Sequence, residues 1–183
     1  MHSLVFCPEP GELLEFNQGT LLAALQQIGL ISNTPSSASS GCATDFPAGD
    51  RFLDLIIFMG CSPAVQLEPG AQGSAHCYIS LQQHPSPGQL YAGSQSRPAR
   101  CGLCKAPIET SRLLGCIEKQ RLPTCSQCQA ELNWSDVTWN KTIGMARVAL
   151  VINNIFPHEA VPADELISTI KNGSGINWRY FYI

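Results

Sequence analysis

Charge is scarce in this 183-residue chain: only 14% of residues are Asp, Glu, Lys or Arg, against roughly 25% in an ordinary soluble domain. With 44% apolar residues, so lightly charged a chain can bury a sizeable core, which excludes global disorder. No apolar run reaches the length of a membrane-spanning helix: Leu21–Leu25 is stopped by Gln26 and Gln27, and Leu53–Met59 is strand-length. The opening MHSLVFCPEP has no basic lead and no long apolar centre, so it does not read as a secretion signal. Net charge is −3, which argues against a protein coated all over in cations for gripping phosphates. There is no phosphate-cradling Gly-rich loop, no HExxH, no GxSxG and no paired acidic cluster.

Cysteine is what the chain has in excess. Nine residues, an odd number, fit poorly with a secreted disulfide scaffold and point to thiols kept reduced as metal ligands or buried in a core. The expectation is a cytoplasmic protein without a membrane partner.

Hydrophobic periodicity places the elements. Leu21, Leu22, Leu25 and Ile28 recur on one face, predicting a helix within 12–29 that Gly29 stops, with Asn17 as candidate N-cap. Residues 32–50 are rich in Ser, Pro and Gly and predict a mobile loop. Arg51–Met59 predicts a central strand, and His76–Gln82 and Met145–Ile152 two more. Pro162, Asp164 and Glu165 open a helix with Leu166, Ile167 and Ile170 inward, ended at Asn172–Gly173. Ile176–Ile183 predicts a closing aromatic strand, and Ser3–Cys7 a short opening one. On the last strand Trp178, Tyr180 and Tyr182 alternate with Arg179, Phe181 and Ile183. The expected class is α+β, a core of 1–90 plus 145–183 interrupted by an insert over 91–144. The order of elements resembles a ferredoxin-like sandwich, a resemblance that implies no activity.

Inside the insert, Cys101-Gly-Leu-Cys104 and Cys125-Ser-Gln-Cys128 form two CxxC pairs with 20 residues between them. Each tight turn directs two sulfurs at one point, and two turns supply the four thiolates of a closed tetrahedral site. The segments RCGLCKAP at 100–107 and TCSQCQAE at 124–131 resemble a zinc ribbon over about residues 97–134. That resemblance implies one structural Zn²⁺ held by Cys101, Cys104, Cys125 and Cys128. Ribbons often carry Gly after the second cysteine of a knuckle, where this chain has Lys105 and Gln129. Iron, or an unmetallated pair of redox dithiols, are the alternatives for the same four sulfurs. Four protein ligands leave no position for a reacting water, so the centre is expected to be structural. The apolar residues of 105–124 are too few for an independent core, so the metal is expected to fold its own segment.

The insert also concentrates cations. Arg97, Arg100, Lys105, Arg112, Lys119 and Arg121 are six of the eleven basic residues, opposed within 97–121 only by Glu109 and Glu118, a formal +4; the remainder carries −7. A four-thiolate zinc centre contributes about −2 and lowers the segment to about +2. These six residues are the candidate partner-binding set, for nucleic acid or an acidic protein surface. Solvation of a protruding insert and neutralisation of the thiolates is the competing account. Trp134 and Trp139 flank the ribbon and suit either stacking on bases or packing. The functional expectation is a non-enzymatic interaction module. The alternative is a thiol-dependent enzyme or redox protein using the CxxC pairs or Cys61, a weak candidate nucleophile whose bases would be His76, His84 or His158.

Overall fold

A computed structural model describes residues 2–10, 17–36, 43–59, 65–68, 76–156 and 160–183. Over these the chain is mixed α/β, with four helices and several antiparallel sheets. The elements are β1 (Ser3–Pro8), α1 (Gln18–Gln27), β2 (Ala43–Pro47), α2 (Phe52–Leu55), β3 (Ile56–Phe58), β4 (Tyr78–Gln83), β5 (Gln89–Ala92), β6 (Ala99–Cys101), β7 (Pro107–Ile108), α3 (Thr110–Glu118), β8 (Val137–Thr138), β9 (Ile143–Ala146), β10 (Val148–Asn153), β11 (Ala160–Pro162), α4 (Asp164–Ser174) and β12 (Trp178–Tyr182).

The main sheet runs β12-β1-β10-β4-β2, each neighbour antiparallel. β1 and β10, SLVFCP and VALVIN, lie inside it and are buried along their whole length, as a strand covered on both faces must be. β1–α1–β4 and β10–α4–β12 interleave: each strand–helix–strand unit holds one strand of the other between its own two. One sheet face packs Leu4, Phe6, Ile79, Leu150 and Ile152 against Leu21 and Leu25 of α1 and Leu166 and Ile170 of α4. The other face packs Val5, Cys7, Ala149, Val151 and Phe181 against Tyr91 of β5 and Ala146 of β9. On β12, Trp178 and Tyr182 join the helix side while Phe181 and Ile183 join the other, the alternation read from the sequence.

Local chemistry sets the ends of α1. The Asn17 side chain accepts from the N–H of Gly19 at 2.9 Å and Thr20 at 3.3 Å. Gly29 takes φ 77°, Gly29 N–H donates to Gln26 C=O and Leu30 N–H to Leu25 C=O, both at 3.0 Å, a Schellman close that needs a residue tolerant of the left-handed region. α4 opens on Asp164 and Glu165 as expected, but runs through Gly173 and ends at Gly175, φ 74°. A Cβ on Gly173 would sit 3.2 Å from the Ala24 Cβ and 3.3 Å from the Leu21 Cα, so this glycine serves close packing of α4 on α1 rather than termination.

Several elements differ from the sequence reading. Arg51–Met59 is no central strand: it splits into α2 and β3, and among the described residues β3 pairs with β11 in a separate two-stranded sheet. Its buried residues are Phe52, Leu55 and Ile56, while Leu53 and Ile57 are half exposed, a spacing of three and four that belongs to a helical turn. The 32–50 segment contains β2 at Ala43–Pro47, laid along β4; short and at the sheet edge, it buries only Phe46 of its five residues. Met145–Ile152 is two strands that part at exposed Arg147: β9 pairs with β5 in a separate ribbon, and β10 enters the main sheet. Pro162 closes β11 rather than opening α4.

Candidate metal centre

The β5–β9 ribbon leads from the main sheet to a second lobe. Its core gathers Leu90, Ala99, Cys101, Ile108, Leu113, Cys125, Leu132, Val137 and Ile143. The few apolar residues of 105–124 are joined in it by those of β5, β6, β8, β9 and Leu132. β6 carries Cys101 and pairs with β7 and β8. α3 lays Leu113 and Cys116 inward. At the neck, the Asn140 side chain donates to the carbonyls of Arg97 and Pro98 and accepts from Thr142 N–H at 2.8 Å. Nothing in the sequence distinguishes this asparagine from any other.

The two CxxC turns have one geometry. In the first, Cys101 N–H donates to Ala106 C=O at 2.8 Å and Lys105 N–H to Cys101 C=O at 2.9 Å; in the second, Cys125 N–H donates to Ala130 C=O at 2.9 Å and Gln129 N–H to Cys125 C=O at 3.1 Å. Lys105 and Gln129 adopt φ 64° and 61°, the conformation for which ribbons use Gly. Their side chains reach back three residues to matching carbonyls: Lys105 Nζ to Gly102 O at 2.8 Å and Gln129 Nε2 to Ser126 O at 3.0 Å. These bonds offset part of the left-handed strain. Gly102 is required for another reason, since a Cβ there would lie 2.2 Å from the Asp136 carbonyl oxygen.

The turns bring all four sulfurs together. The Sγ atoms of Cys101, Cys104, Cys125 and Cys128 lie within 4.8 Å of one another, with Cys101–Cys128 at 3.9 Å and Cys104–Cys125 at 3.6 Å. Metal–sulfur bonds of about 2.3 Å make a tetrahedron with edges of about 3.8 Å, so the donor set fits a four-coordinate ion. Cys101 and Cys125 are buried, Cys104 and Cys128 exposed.

The electrostatics agree with a cation. N–H groups of Cys104 and Leu103 hold the Cys101 thiol below its ordinary value. N–H groups of Cys128 and Gln127 hold Cys125 down to about 6. Cys104 receives the Ala106 N–H, yet desolvation and the sulfurs of Cys125, Cys128 and Cys101 push it up to about 11. Four thiolates this close repel one another unless a positive charge sits among them. Among the described residues, this is the one group of three or more metal-ligating side chains arranged to hold an ion.

The six cations are all exposed. Arg112 lies on α3, Lys119 caps its C-terminal end and Arg121 follows; Arg97 and Arg100 lie on and just before β6. Arg100 Nη1 donates to the Lys105 carbonyl at 3.0 Å, so Arg100 and Lys105 brace the first knuckle. Among the described residues the ion pairs are those of Arg51 with Glu165 and Asp54, and none of the six takes part in one. Trp134 and Trp139 pack partly on the lobe core and, with Pro8, Pro10, Met145 and Arg147, line a groove of about 170 Å³ beside the main sheet.

Cys61 and His158 lie outside the described residues. His76 stacks near Tyr78 and His84 Nε2 lies 3.1 Å from the Tyr91 hydroxyl, which donates to Gln82 at 2.9 Å. Cys77 is buried in the main core and desolvation pushes its thiol up to about 12, the mark of an inert thiol. A residue that sequence reasoning passed over is Arg179. Its Nη1 and Nη2 donate to the carbonyls of Asn140 and Ile143, each at 2.8 Å, and its guanidinium lies over Phe181. It thereby ties the neck of the lobe to the edge strand of the sheet. No helix among the described residues is long and apolar enough to cross a membrane. Comparison with family models, with curated proteins and with solved structures finds no match to this chain.

Proposed function

We propose that the chain is a cytoplasmic, non-enzymatic interaction module: a ferredoxin-like α+β body carrying a zinc ribbon over about 91–144, whose ion is structural and whose cations engage an anionic partner. Support for the body comes from the interleaved strand–helix–strand units and the strand order of the sheet. Support for zinc comes from the four-sulfur donor set, two knuckles of one geometry and sulfur separations near a tetrahedral edge. With four protein ligands the ion's coordination is complete, which suits shaping a surface rather than activating water.

The observation that carries the partner reading is the state of the six cations. All are exposed and none is spent in an ion pair among the described residues, while the rest of the chain is formally −7. Residues 91–144 hold seven basic and four acidic residues, a formal +3 that a four-thiolate zinc centre lowers to about +1, against −6 for the rest; the cationic face of this lobe presents one end of an acidic chain to a polyanion. Nucleic acid is the first partner to test, because phosphate binding carries a salt signature. If all six contact phosphates, affinity for an RNA or DNA oligonucleotide falls about a thousandfold between 50 and 200 mM salt. Reversing Arg112, Lys119 and Arg121 to Glu should then abolish binding at 50 mM. Weak association that ignores salt removes the nucleic-acid partner and leaves an acidic protein surface.

A further inference from the structure

We propose that the four-cysteine cluster is a site of reversible oxidation, in which a hydroperoxide joins Cys104 to Cys125 and Cys101 to Cys128, across the two knuckles rather than within either. The proposal rests on the reading that these thiols are reduced and share one ion; it adds what happens when they are oxidised.

Two observations carry it. Each knuckle has one exposed cysteine, Cys104 on the first and Cys128 on the second, which a small oxidant approaches without opening the lobe. The sulfur of each lies close to that of a buried cysteine of the opposite knuckle, Cys125 at 3.6 Å and Cys101 at 3.9 Å. A disulfide of about 2.05 Å therefore needs less than about 2 Å of further approach.

The chemistry balances on sulfur. The Cys104 sulfur attacks the terminal oxygen of the hydroperoxide, the O–O bond breaks, and the alcohol or water leaves carrying the thiol proton, producing a sulfenic acid. The Cys125 sulfur then attacks the sulfenic sulfur, the S–O bond breaks, and hydroxide leaves as water with a second proton. Two sulfurs give two electrons to one hydroperoxide. Cys128 and Cys101 repeat the sequence with a second equivalent. Neither sulfur of a disulfide remains a thiolate ligand, so an ion held there loses its site. Because Cys101 and Cys125 both sit in the lobe core, the cross-links keep the two knuckles closed after the ion is gone.

The test uses the full-length protein as purified under reducing conditions, with its metal content measured first. It is exposed to excess hydrogen peroxide, alkylated and digested with trypsin without reduction. Cleavage after Arg100, Lys105, Arg121 and Lys141 puts Cys101 and Cys104 on one peptide and Cys125 and Cys128 on another. The expected result is one disulfide-joined species of 101–105 with 122–141, fragmenting as 104–125 and 101–128, with about one equivalent of metal released and thiols restored by dithiothreitol. Two separate peptides each closed on itself, pairings 101–125 and 104–128, or sulfinic and sulfonic acids without cross-links would overturn the proposal. Absence of metal before oxidation defeats the ion reading instead, and the peptide map still decides the pairing.

Discussion

Removing the ion proposed for the four-cysteine cluster is the most informative perturbation of this protein. A structural four-thiolate zinc centre contributes on the order of 10 kcal/mol to the fold it closes, and a whole domain of ordinary size is stable by only about 5–15 kcal/mol. In the lobe the two effects share residues: Cys101 and Cys125 would be ligands and are members of the lobe core, 0% and 1% exposed. Freed of a cation, those two sulfurs become buried groups facing like charge or unpaired thiols, and β6, which carries Cys101, loses its anchor to the second knuckle. The helix-side core of the body shares none of this, since its helices and β1, β10 and β4 pack among themselves, while the opposite sheet face meets the lobe side through Tyr91. A strong chelator, or Cys101→Ser, should therefore unfold 91–144 while sparing the rest. Hydrogen exchange should show protection lost across α3, β6 and β8 and kept across Ser3–Pro8, Val148–Asn153 and Asp164–Ser174. Two of the three tryptophans, Trp134 and Trp139, lie in the lobe, so most of the emission change should precede the body's transition. Unchanged exchange and proteolysis of 91–144 in metal-free protein would refute the reasoning and leave the lobe core sufficient by itself.

Three further outcomes follow from the packing. Arg179→Met removes two charge-assisted hydrogen bonds from the carbonyls of Asn140 and Ile143; after allowance for guanidinium desolvation it should cost about 2–4 kcal/mol, read by denaturant unfolding, and raise exchange at 140–146 first. Leu132→Ala, at a fully buried lobe position, should cost about 2–5 kcal/mol and lower only the lobe's protection in hydrogen exchange. Arg51 holds the Glu165 carboxyl below its usual range, by hydrogen bonds at 3.0 Å and by its charge. A depressed folded value stabilises above the unfolded carboxyl pKa and is lost as pH falls through the folded one. Glu165→Gln should therefore lower the melting temperature at pH 7, and the difference from wild type should shrink as pH falls below the ordinary carboxyl range.

The metal site was legible because its logic is local. A CxxC spacing forces both sulfurs of a turn to one side, and nothing beyond the turn is needed to say so; the same holds for Asn17 and Gly29 at the ends of α1. Arg51–Met59 was not legible as α2 and β3 because a short apolar run carries strand and helix-turn spacings at once, and only the neighbours that bury Phe52, Leu55 and Ile56 decide between them. Met145–Ile152 failed for a related reason: β9 and β10 are equally apolar, and the break at Arg147 answers to two different pairing partners.

The chain alone determined which sulfurs share a turn, where most of the cationic charge sits and where α1 begins and ends, since these depend on residues a few positions apart. Tertiary structure decided which strands are central, that the lobe draws its core from both flanks of the ribbon, that Arg179 joins lobe to sheet, and which sulfurs face each other across the knuckles. Those outcomes depend on groups from 21 positions apart (Cys104 and Cys125) to 178 apart (Leu4 and Tyr182) meeting in a packed interior, and a linear pattern holds no record of such distances.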